Sequence, residues 1–454
     1  MTTENSLPLD GIRVLDLSSV WAMPYAAGVL TDLGAEVIKI EALQRLDSSR
    51  EMGVWPDTMG GSEPWNSVGT FSVLNRGKRS ITLNLSDPRG RDIFRELVKI
   101  SDIVIENYTA RVMRNWDLDF EHLNELRPGI IMVSNTGYGH AGPWESYPVQ
   151  GTALEATVGI PNFSGYAGGR PWTIGQSYPD FVAMWHGLFC VMSALRRRAL
   201  TGEGQWIDLG MYSANVAMQG EAMLDFIANG RKGERIGNRD HIQNVQGAYQ
   251  TQGDDAWMTL AAQTDAEWAA LCGVLGPTAW GSSTPPATLA EARVRHDEVD
   301  GVIGAWAATQ TREGAVDAIR AAGIAAGPCN DARDLFLDPQ LKLRGLYEWV
   351  DHAPGTGVGR RPIIGRAFRL SDTELKVRGG APPLGEANEY VFKELLGHSA
   401  VEFEELVERE ITGKREPLVE EMSGLPIDAL LGVRRIRVYD PEYKERLGIV
   451  LEPD

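Results

Sequence analysis

The sequence predicts an α/β protein whose main sheet is mostly parallel and covered by helices. Over the first 135 residues, short apolar runs typical of buried strands alternate with segments that have helical apolar spacing. The chain contains 50 glycines and 24 prolines among 454 residues, which favours many short connections. In alternating α/β folds the ligand binds at the carboxyl ends of the strands, so we expect the functional site at that edge of the sheet.

The predicted elements follow one another in regular order. From the N-terminus they are strand 12–17, helix 24–33, strand 36–41, strand 80–85, helix 89–100, strand 103–106, helix 111–126 and strand 129–134. A long, largely apolar helix at 181–200 has three arginines in its last turns, where they suit the negative end of the helix dipole. The sequence TGEG at 201–204 ends this helix, and a strand follows at 205–209.

A second domain is indicated where the composition changes, near residue 230. Charged, glycine-containing sequence is followed there by helices near 266–275 and 302–322, which indicate a separate α+β unit. From residue 331 onward, loops rich in Asp, Pro and Gly lead to a polar amphipathic segment at 401–418.

Charge and motif content exclude several classes of protein. The formal net charge of −18 opposes binding to nucleic acid or to an anionic membrane, so we expect neither partner. Three widely spaced cysteines and an N-terminus without leader features predict a soluble protein of the reducing cytoplasm. The first strand-to-helix turn lacks the dinucleotide-binding motif GxGxxG, and the chain has no P-loop motif GxxxxGK[ST]. Binding of NAD, FAD or ATP through these motifs is therefore not predicted. Seven histidines are scattered without paired spacing, so no metal site is predicted.

Asp180 is the one carboxylate that the sequence places where chemistry could use it. It follows Pro179, begins an apolar helix and comes after a glycine-rich loop. Backbone N–H groups at a helix N-terminus would favour its ionised form and could also hold a ligand anion. Helix capping is the simpler interpretation of the local sequence, and catalysis remains open beside it. His186 lies about 120° round the helix from Asp180 and is interpreted as a core histidine.

Together these segments resemble the family III CoA-transferases. The resemblance extends over about residues 9–396 and depends on an ordered set of motifs. These are LDGIRVLD at 9–16, DLGAEVIKIE at 32–41, NRGKRSI at 75–81, DIVIEN at 102–107, TGYG at 136–139 with GP at 142–143, TGEGQ at 201–205, GIAAGP at 323–328, DP at 338–339 with RG at 344–345, and LGE at 384–386.

The resemblance implies a particular architecture. We expect a Rossmann-like large domain built from both chain ends, a smaller central α+β domain, and two subunits that thread through each other as an interlocked homodimer. The implied division of the chain has four parts. They are the N-terminal part of the large domain at 1–205, a linker at 206–235, the small domain at 236–330, and a return to the large domain with a C-terminal tail at 331–454.

The resemblance also implies a chemistry. Asp180 falls where the family has its catalytic aspartate, which exchanges CoA between an acyl-CoA and a free carboxylic acid through an aspartyl anhydride and an aspartyl-CoA thioester. Coenzyme A is therefore expected as part of the substrate, with no permanently bound cofactor. The implied CoA contacts are Trp21, Ala22, Leu83, Asn107, Tyr108 and Arg114.

Several positions depart from the family pattern. Trp21 stands where formyl-CoA transferases have glutamine, and Met23 interrupts the usual Ala-Gly-Pro. Ala42 replaces a CoA-contacting arginine, and a second such arginine aligns near Asn115, with Arg114 close by. The donor and acceptor acids are left unidentified. Trp21 and Trp172 suggest a roomy, partly apolar pocket, which would suit a substituted or dicarboxylic acid with a succinyl-CoA or acetyl-CoA donor.

Two alternatives accompany the transferase hypothesis. An acyl-CoA racemase of the same fold needs a histidine in a Gly-His-Asp context, whereas residues 148–152 read PVQGT and His140 lies well upstream. A non-catalytic CoA-binding protein is the other alternative. The retained Tyr-Pro-Asp at 178–180 argues against it.

Overall fold

The computed structural model describes residues 7–52, 59–175, 177–239, 245–420, 422–423 and 426–449. The chain forms two compact units. The larger contains Met1–Val158, Gly175–Gly220 and Leu343–Asp454, and the smaller contains Gly159–Ile174 and Glu221–Lys342. Both ends of the sequence therefore contribute to the larger unit.

These boundaries differ from the predicted division. The smaller unit extends to residue 342 and also includes residues 159–174. Residues 206–235 were predicted to be a linker, but they contain most of a strand of the main sheet and two helices. The strand forms because Ile207 and Leu209 alternate with exposed residues and are buried against the rest of the sheet.

The strands of the described residues form four sheets. They are β1 (Arg13–Asp16), β2 (Glu36–Glu41), β3 (Met59–Gly61), β4 (Arg79–Thr82), β5 (Ile103–Glu106), β6 (Ile131–Thr136), β7 (Gln205–Gly210), β8 (Val245–Gln250), β9 (Trp257–Ala262), β10 (Ala325–Pro328), β11 (Tyr347–Asp351), β12 (Arg360–Ile364) and β13 (Met422–Ser423). The main sheet has the order β4-β2-β1-β5-β6-β7, and all its neighbouring strands are parallel. The predicted α/β class with a parallel sheet is confirmed.

The smaller sheets are antiparallel. In the smaller unit, β9 lies between β10 and β8. In the larger unit, β11 pairs with β12, and β13 pairs with β3.

Helices connect these strands. They are α1 (Ala22–Asp32), α2 (Gly69–Leu74), α3 (Pro88–Lys99), α4 (Arg111–Asn115), α5 (Phe120–Leu126), α6 (Gly151–Thr157), α7 (Ile160–Phe163), α8 (Tyr178–Thr201), α9 (Met211–Ala217), α10 (Gly220–Asn229), α11 (Asp265–Leu275), α12 (Leu289–Val294), α13 (His296–Ala307), α14 (Arg312–Ala321), α15 (Ala332–Leu337), α16 (Pro339–Leu343), α17 (Ala400–Glu408), α18 (Ile427–Gly432) and α19 (Tyr443–Leu447). Within the described ranges, none combines the length and apolar character needed to cross a bilayer.

The single helix predicted at 111–126 is two helices, α4 and α5. The chain turns between them because Asp117 adopts a left-handed conformation, with φ of 52°. Asp119 then starts α5 as its N-cap, where its carboxylate accepts a hydrogen bond from the His122 N–H at 3.3 Å. A polar side chain that competes with the helical backbone therefore divides this segment.

The core of the larger unit includes chain from beyond residue 380. Ala387, Val391 and Phe392 pack in the same buried cluster as apolar residues of the central strands. Ala387 N–H also donates to the Ser80 carbonyl at 2.9 Å. The segment at 387–392 therefore packs against the main sheet beside β4.

Helix α8 is the element that positions the candidate catalytic residue. It packs against α1 and ends at Gly202, whose φ of 78° and N–H bond to the Arg198 carbonyl are typical of a glycine C-cap. Strand β7 begins three residues later, so α8 runs antiparallel to the strands. Its first turn therefore lies at the carboxyl edge of the sheet.

Candidate active site

Four segments of the larger unit lie at the carboxyl edge of the parallel sheet. They are the turn at 17–21 after β1, residues 107–108 after β5, residues 137–140 after β6, and the first turn of α8. Loops that follow parallel strands necessarily share one edge, which is where α/β proteins bind ligands. The topology thus brings these segments to the edge where the sequence predicts the site, and the site itself stays a prediction.

Asp180 lies in the first turn of α8 and is nearly buried, with 9% of its surface exposed. The backbone N–H of Ala22, in the first turn of α1, and the N–H of Asp180 itself lie close enough to this carboxylate to lower its pKa. Two helix N-termini therefore meet at this carboxylate. A dipole end of this kind favours negative charge, on the carboxylate or on a bound anion.

The balance of burial and hydrogen bonding sets the protonation of Asp180. Burial raises the pKa of its carboxyl group to about 6, although the N–H groups of Asp180 and Ala22 oppose that change. The carboxylate is thus ionised at neutral pH but poorly solvated. Such a carboxylate is a better nucleophile than one in water, which is the requirement for covalent catalysis.

Gly151 leaves the room that this carboxylate occupies. Residue 151 is the first residue of α6, and a Cβ built there would overlap Asp180 Oδ2. Only glycine allows the backbone of α6 to approach the carboxylate so closely. Sequence analysis missed this role, because nothing in the local pattern around Gly151 indicates what faces it.

An aromatic group stands beside Asp180. The Phe181 ring makes edge-to-face contacts with Trp21, at 6.2 Å between ring centres, and with Tyr25, at 5.9 Å. The indole N–H of Trp21 is buried and has no acceptor among the described residues. Trp21 thus brings an apolar surface and an unused donor to the residue next to the candidate nucleophile. Met23, by contrast, is buried in the core of α1, with 1% exposed.

Two of the predicted CoA contacts follow β5. The Asn107 side chain holds the turn after β1, because its Oδ1 accepts from the Ser19 N–H at 2.8 Å and its Nδ2 donates to the Ser19 carbonyl at 2.7 Å. The Tyr108 ring packs edge-on against Trp116. Burial, reinforced by the charge of Glu106, raises the pKa of the Tyr108 hydroxyl to about 12.

The remaining predicted contacts lie in different surroundings. The Leu83 side chain is 1% exposed within the core, so only its backbone could face a ligand. Arg114 and Asn115 are exposed on α4. Ala42 forms an isolated bridge with Arg45, whose charge is near enough to Tyr108 to influence its pKa. Arg45 therefore supplies a positive charge three residues after position 42, where the family pattern has an arginine. Comparing the sequence with the family position by position did not reveal Arg45.

The two histidines considered from sequence are both engaged in hydrogen bonds. His140 Nδ1 lies 2.9 Å from Asp208 Oδ1, and its backbone N–H donates to the other oxygen at 3.0 Å. His186 Nδ1 lies 2.7 Å from the Val182 carbonyl one turn earlier in its own helix. His186 is half-buried on α8, and neither histidine contacts Asp180 in the hydrogen bonds of the described residues.

No group of three or more metal-ligating side chains lies together in the described part of the chain. A cavity of about 570 Å³ is present in the smaller unit and is lined by residues of β8, β9 and β10. It contains none of the predicted site residues.

The fold is an α/β fold with a nearly buried carboxylate at the carboxyl edge of its parallel sheet. Comparison with known proteins gives the particular family. Residues 9–388 match the model of CoA-transferase family III, and the chain belongs to that family. It is an enzyme, and acyl-CoA is the substrate that this family shares.

Named relatives have specific substrates. The chain is 31% identical to the succinyl-CoA–L-malate CoA-transferase beta subunit of Chloroflexus aurantiacus, over 87% of this chain and 96% of the relative. It is also 31% identical to the succinate–glutarate CoA-transferase of Agrobacterium fabrum, over 86% and 96% respectively. A solved CAIB/BAIF family protein from Brucella suis is similar in structure, with a TM-score of 0.78, 29% identity, and coverage of 86% of this chain and 100% of that one.

Proposed function

We propose that the protein transfers CoA from an acyl-CoA thioester to a free carboxylic acid through covalent intermediates on Asp180. The observation that carries the proposal is the nearly buried carboxylate, with two backbone N–H groups close to it, at the carboxyl edge of the sheet. These N–H groups can stabilise the oxyanion that develops on Asp180 when CoA thiolate attacks the anhydride or the acceptor acid attacks the aspartyl thioester.

In the first half of the reaction, an Asp180 carboxylate oxygen attacks the thioester carbonyl carbon. The carbon–sulfur bond breaks, which gives a mixed anhydride on Asp180 and CoA thiolate. The thiolate then attacks the Asp180 carbonyl carbon and releases the donor acid as a carboxylate, leaving an aspartyl-CoA thioester.

The second half reverses these steps with a different acid. The acceptor carboxylate attacks the carbonyl carbon of the aspartyl thioester and expels CoA thiolate. This step forms a second anhydride, between Asp180 and the acceptor acid. Thiolate attack on the acceptor carbonyl carbon then yields the new acyl-CoA and regenerates the Asp180 carboxylate. No proton or electron is gained or lost overall, so the reaction needs no permanently bound cofactor.

The donor is succinyl-CoA and the acceptor a dicarboxylic acid in this proposal. Support comes from the relatives, whose names specify succinyl-CoA with malate and succinate with glutarate. The unused Trp21 indole N–H beside Asp180 is a donor suited to an oxygen of such an acid. Trp21, Ala22, Leu83, Asn107, Tyr108 and Arg114 remain the proposed CoA contacts.

The working form is a homodimer, interlocked as the family resemblance implies. Support comes from α10, which has no buried residue although it carries several apolar side chains. Ile227 is 75% exposed, Leu224 67% and Phe226 53%. An apolar helix surface of this kind is typical of a subunit interface. The cytoplasmic location remains a prediction from the cysteine content.

The covalent intermediate provides the test. The protein is incubated with succinyl-CoA and hydroxylamine, and the peptide containing Asp180 is analysed by mass spectrometry. Conversion of its side chain to a hydroxamate is expected, and the Asp180→Ala protein should show none. An unmodified Asp180 together with exchange of the substrate α-proton into deuterated solvent would contradict the proposal and favour the racemase alternative.

A further inference from the structure

We propose that Asp47, Lys39 and Asn107 are positioning residues that fix the turn between β1 and α1, so that the Ala22 N–H meets the Asp180 carboxylate. The inference rests on the proposed function of Asp180. It adds residues that do not themselves touch the reacting atoms but determine where one of the hydrogen-bond donors lies.

Ser18, the second residue of the turn, is held at both of its backbone groups. Ser18 N–H donates to Asp16 Oδ1 at 3.0 Å, and the Ser18 hydroxyl donates to the same oxygen. The Ser18 carbonyl accepts from Lys39 Nζ at 2.6 Å. The other oxygen of Asp16 pairs with Lys78 Nζ at 2.7 Å, so this carboxylate is itself anchored.

The next two residues are held in the same way. Asn107 bonds both the N–H and the carbonyl of Ser19. Asp47 Oδ1 accepts from the Val20 N–H at 3.0 Å and from the Ser19 hydroxyl at 3.0 Å. Every backbone hydrogen-bonding group from the Ser18 N–H to the Val20 N–H is thus bonded to a side chain of another residue.

The conformation held in this way is an unfavourable one. Val20 has φ of 75°, and a β-branched residue at positive φ is a genuine outlier. Such a conformation persists only where the surroundings determine it, and it occurs most often at functional sites. Two residues later the chain enters α1, whose first N–H groups have no partner within the helix and are free to bond Asp180.

Stability alone does not account for the charged pair that holds the turn. Lys39 Nζ and Asp47 Oδ2 lie 2.9 Å apart, and both side chains are 1% exposed. Burial would lower the pKa of Lys39 and raise that of Asp47. The carboxylates around Lys39 (Asp47, Asp16 and Glu41), and Lys39 with backbone N–H groups around Asp47, together outweigh burial and hold both in the charged form. Apolar residues often stabilise a buried site as well as an ion pair does, so a geometric role explains the pair better.

A change in the turn should be visible in the titration of Asp180. Burial and the N–H groups of Asp180 and Ala22 account for the pKa of this carboxyl group, with no contribution from the charges of Asp47 or Lys39. The network around the turn has further charged groups in Asp16 and Lys78, which also make none. An altered pKa in an Asp47 variant would therefore report a displaced Ala22 N–H.

The test is Asp47→Asn, which places an amide against the Lys39 ammonium and forces the turn to move. We expect kcat for succinyl-CoA-dependent transfer to fall at least tenfold, with the KM for succinyl-CoA within about threefold. The acidic limb of the kcat profile should move to higher pH by about one unit, because a displaced Ala22 N–H no longer stabilises the charged carboxylate.

A matched control is Asp32→Asn, at the other end of α1. Asp32 pairs with Arg76 at 2.9 Å, and both side chains are fully buried, so this variant also breaks a buried ion pair. It should lose similar stability and keep the parent pH profile. Ser49→Ala is the milder companion, because it removes only one hydroxyl donor to Asp47 Oδ1, at 2.8 Å, and should move the limb in the same direction by less.

The outcomes separate this inference from the proposed function. If Asp47→Asn and Ser49→Ala keep the parent pH profile while Asp180→Ala is inactive, the positioning role is wrong and the nucleophile stands. If Asp180→Ala retains activity, the proposed function fails first. If Asp32→Asn moves the pH limb as far as Asp47→Asn does, the effect is general loosening of the fold, and the positioning role is also wrong.

Discussion

Replacing Asp180 with asparagine should abolish CoA transfer and at the same time stabilise the folded protein above pH 6. The two side chains have the same shape, so the change removes the charge and the nucleophile with little change in packing. A carboxylate kept for catalysis in a nearly buried site destabilises the fold, whereas a carboxylate kept as a helix cap stabilises it. The variant therefore distinguishes the two interpretations of Asp180 that the sequence left open.

The pKa gives the magnitude. Burial raises it from the ordinary 3.8 to about 6 in the folded protein, so the folded state binds more protons than the unfolded state between these values. Stability is then lost as the pH rises through this range and stays low above it. The free energy of unfolding is lower by about 1.5 kcal/mol at pH 5 and by about 3 kcal/mol at pH 8. Asparagine does not titrate, so the variant does not lose this stability.

The measurement compares urea unfolding of the parent and Asp180→Asn proteins at pH 5 and pH 8. Tryptophan fluorescence can follow the transition, since several tryptophans lie in the larger unit. The stability gain of the variant should be greater at pH 8 than at pH 5 by about 1.5 kcal/mol. A stability difference between variant and parent that does not grow between pH 5 and pH 8 would refute the reasoning and favour the capping interpretation, because asparagine caps a helix about as well as aspartate does.

Other substitutions test the site and the assembly. Gly151→Ala should lower kcat at least about a hundredfold by displacing the Asp180 carboxylate. The control Gly301→Ala, at a helical glycine with open space around it, should leave activity unchanged. Equal effects of the two substitutions would argue against the close contact between Gly151 and Asp180. Arg114→Ala should raise the KM for acyl-CoA severalfold and weaken its salt dependence, and an unchanged KM would remove Arg114 from the CoA contacts. Ile227→Glu should produce monomers in sedimentation experiments, and an unaffected dimer would place the interface elsewhere.

The sequence by itself determined the order along the chain of the strands of the parallel sheet, although it joined α4 and α5 into one helix and took residues 206–235 for a linker. Buried strands of a parallel sheet are continuous apolar runs, because both faces are covered, and the segments containing Val14, Ile38 and Val104 show this directly. Motif order then identified the family. The position of Asp180 at the start of α8 also followed from sequence, because proline and aspartate mark a helix N-terminus.

Only the tertiary structure decided which groups surround that carboxylate. Gly151 faces Asp180, and the Ala22 N–H lies close enough to lower its pKa, although both come from segments distant along the chain. Local sequence carries no signal for such contacts, since they depend on how α1 and α6 pack against α8. The raised pKa of Asp180 has the same origin, because burial is a property of the packed structure.

The charged residues within the strands show the limit most clearly. Lys39 stands in a run of apolar residues, where a lone lysine would ordinarily be assigned to the solvent side of a strand. In the fold it is buried with Asp47 and bonds the turn that precedes α1. A buried charge is tolerated only where an oppositely charged or hydrogen-bonding group lies beside it. The sequence does not show that Asp47 is this group for Lys39, because their contact depends on how the chain folds back after β2.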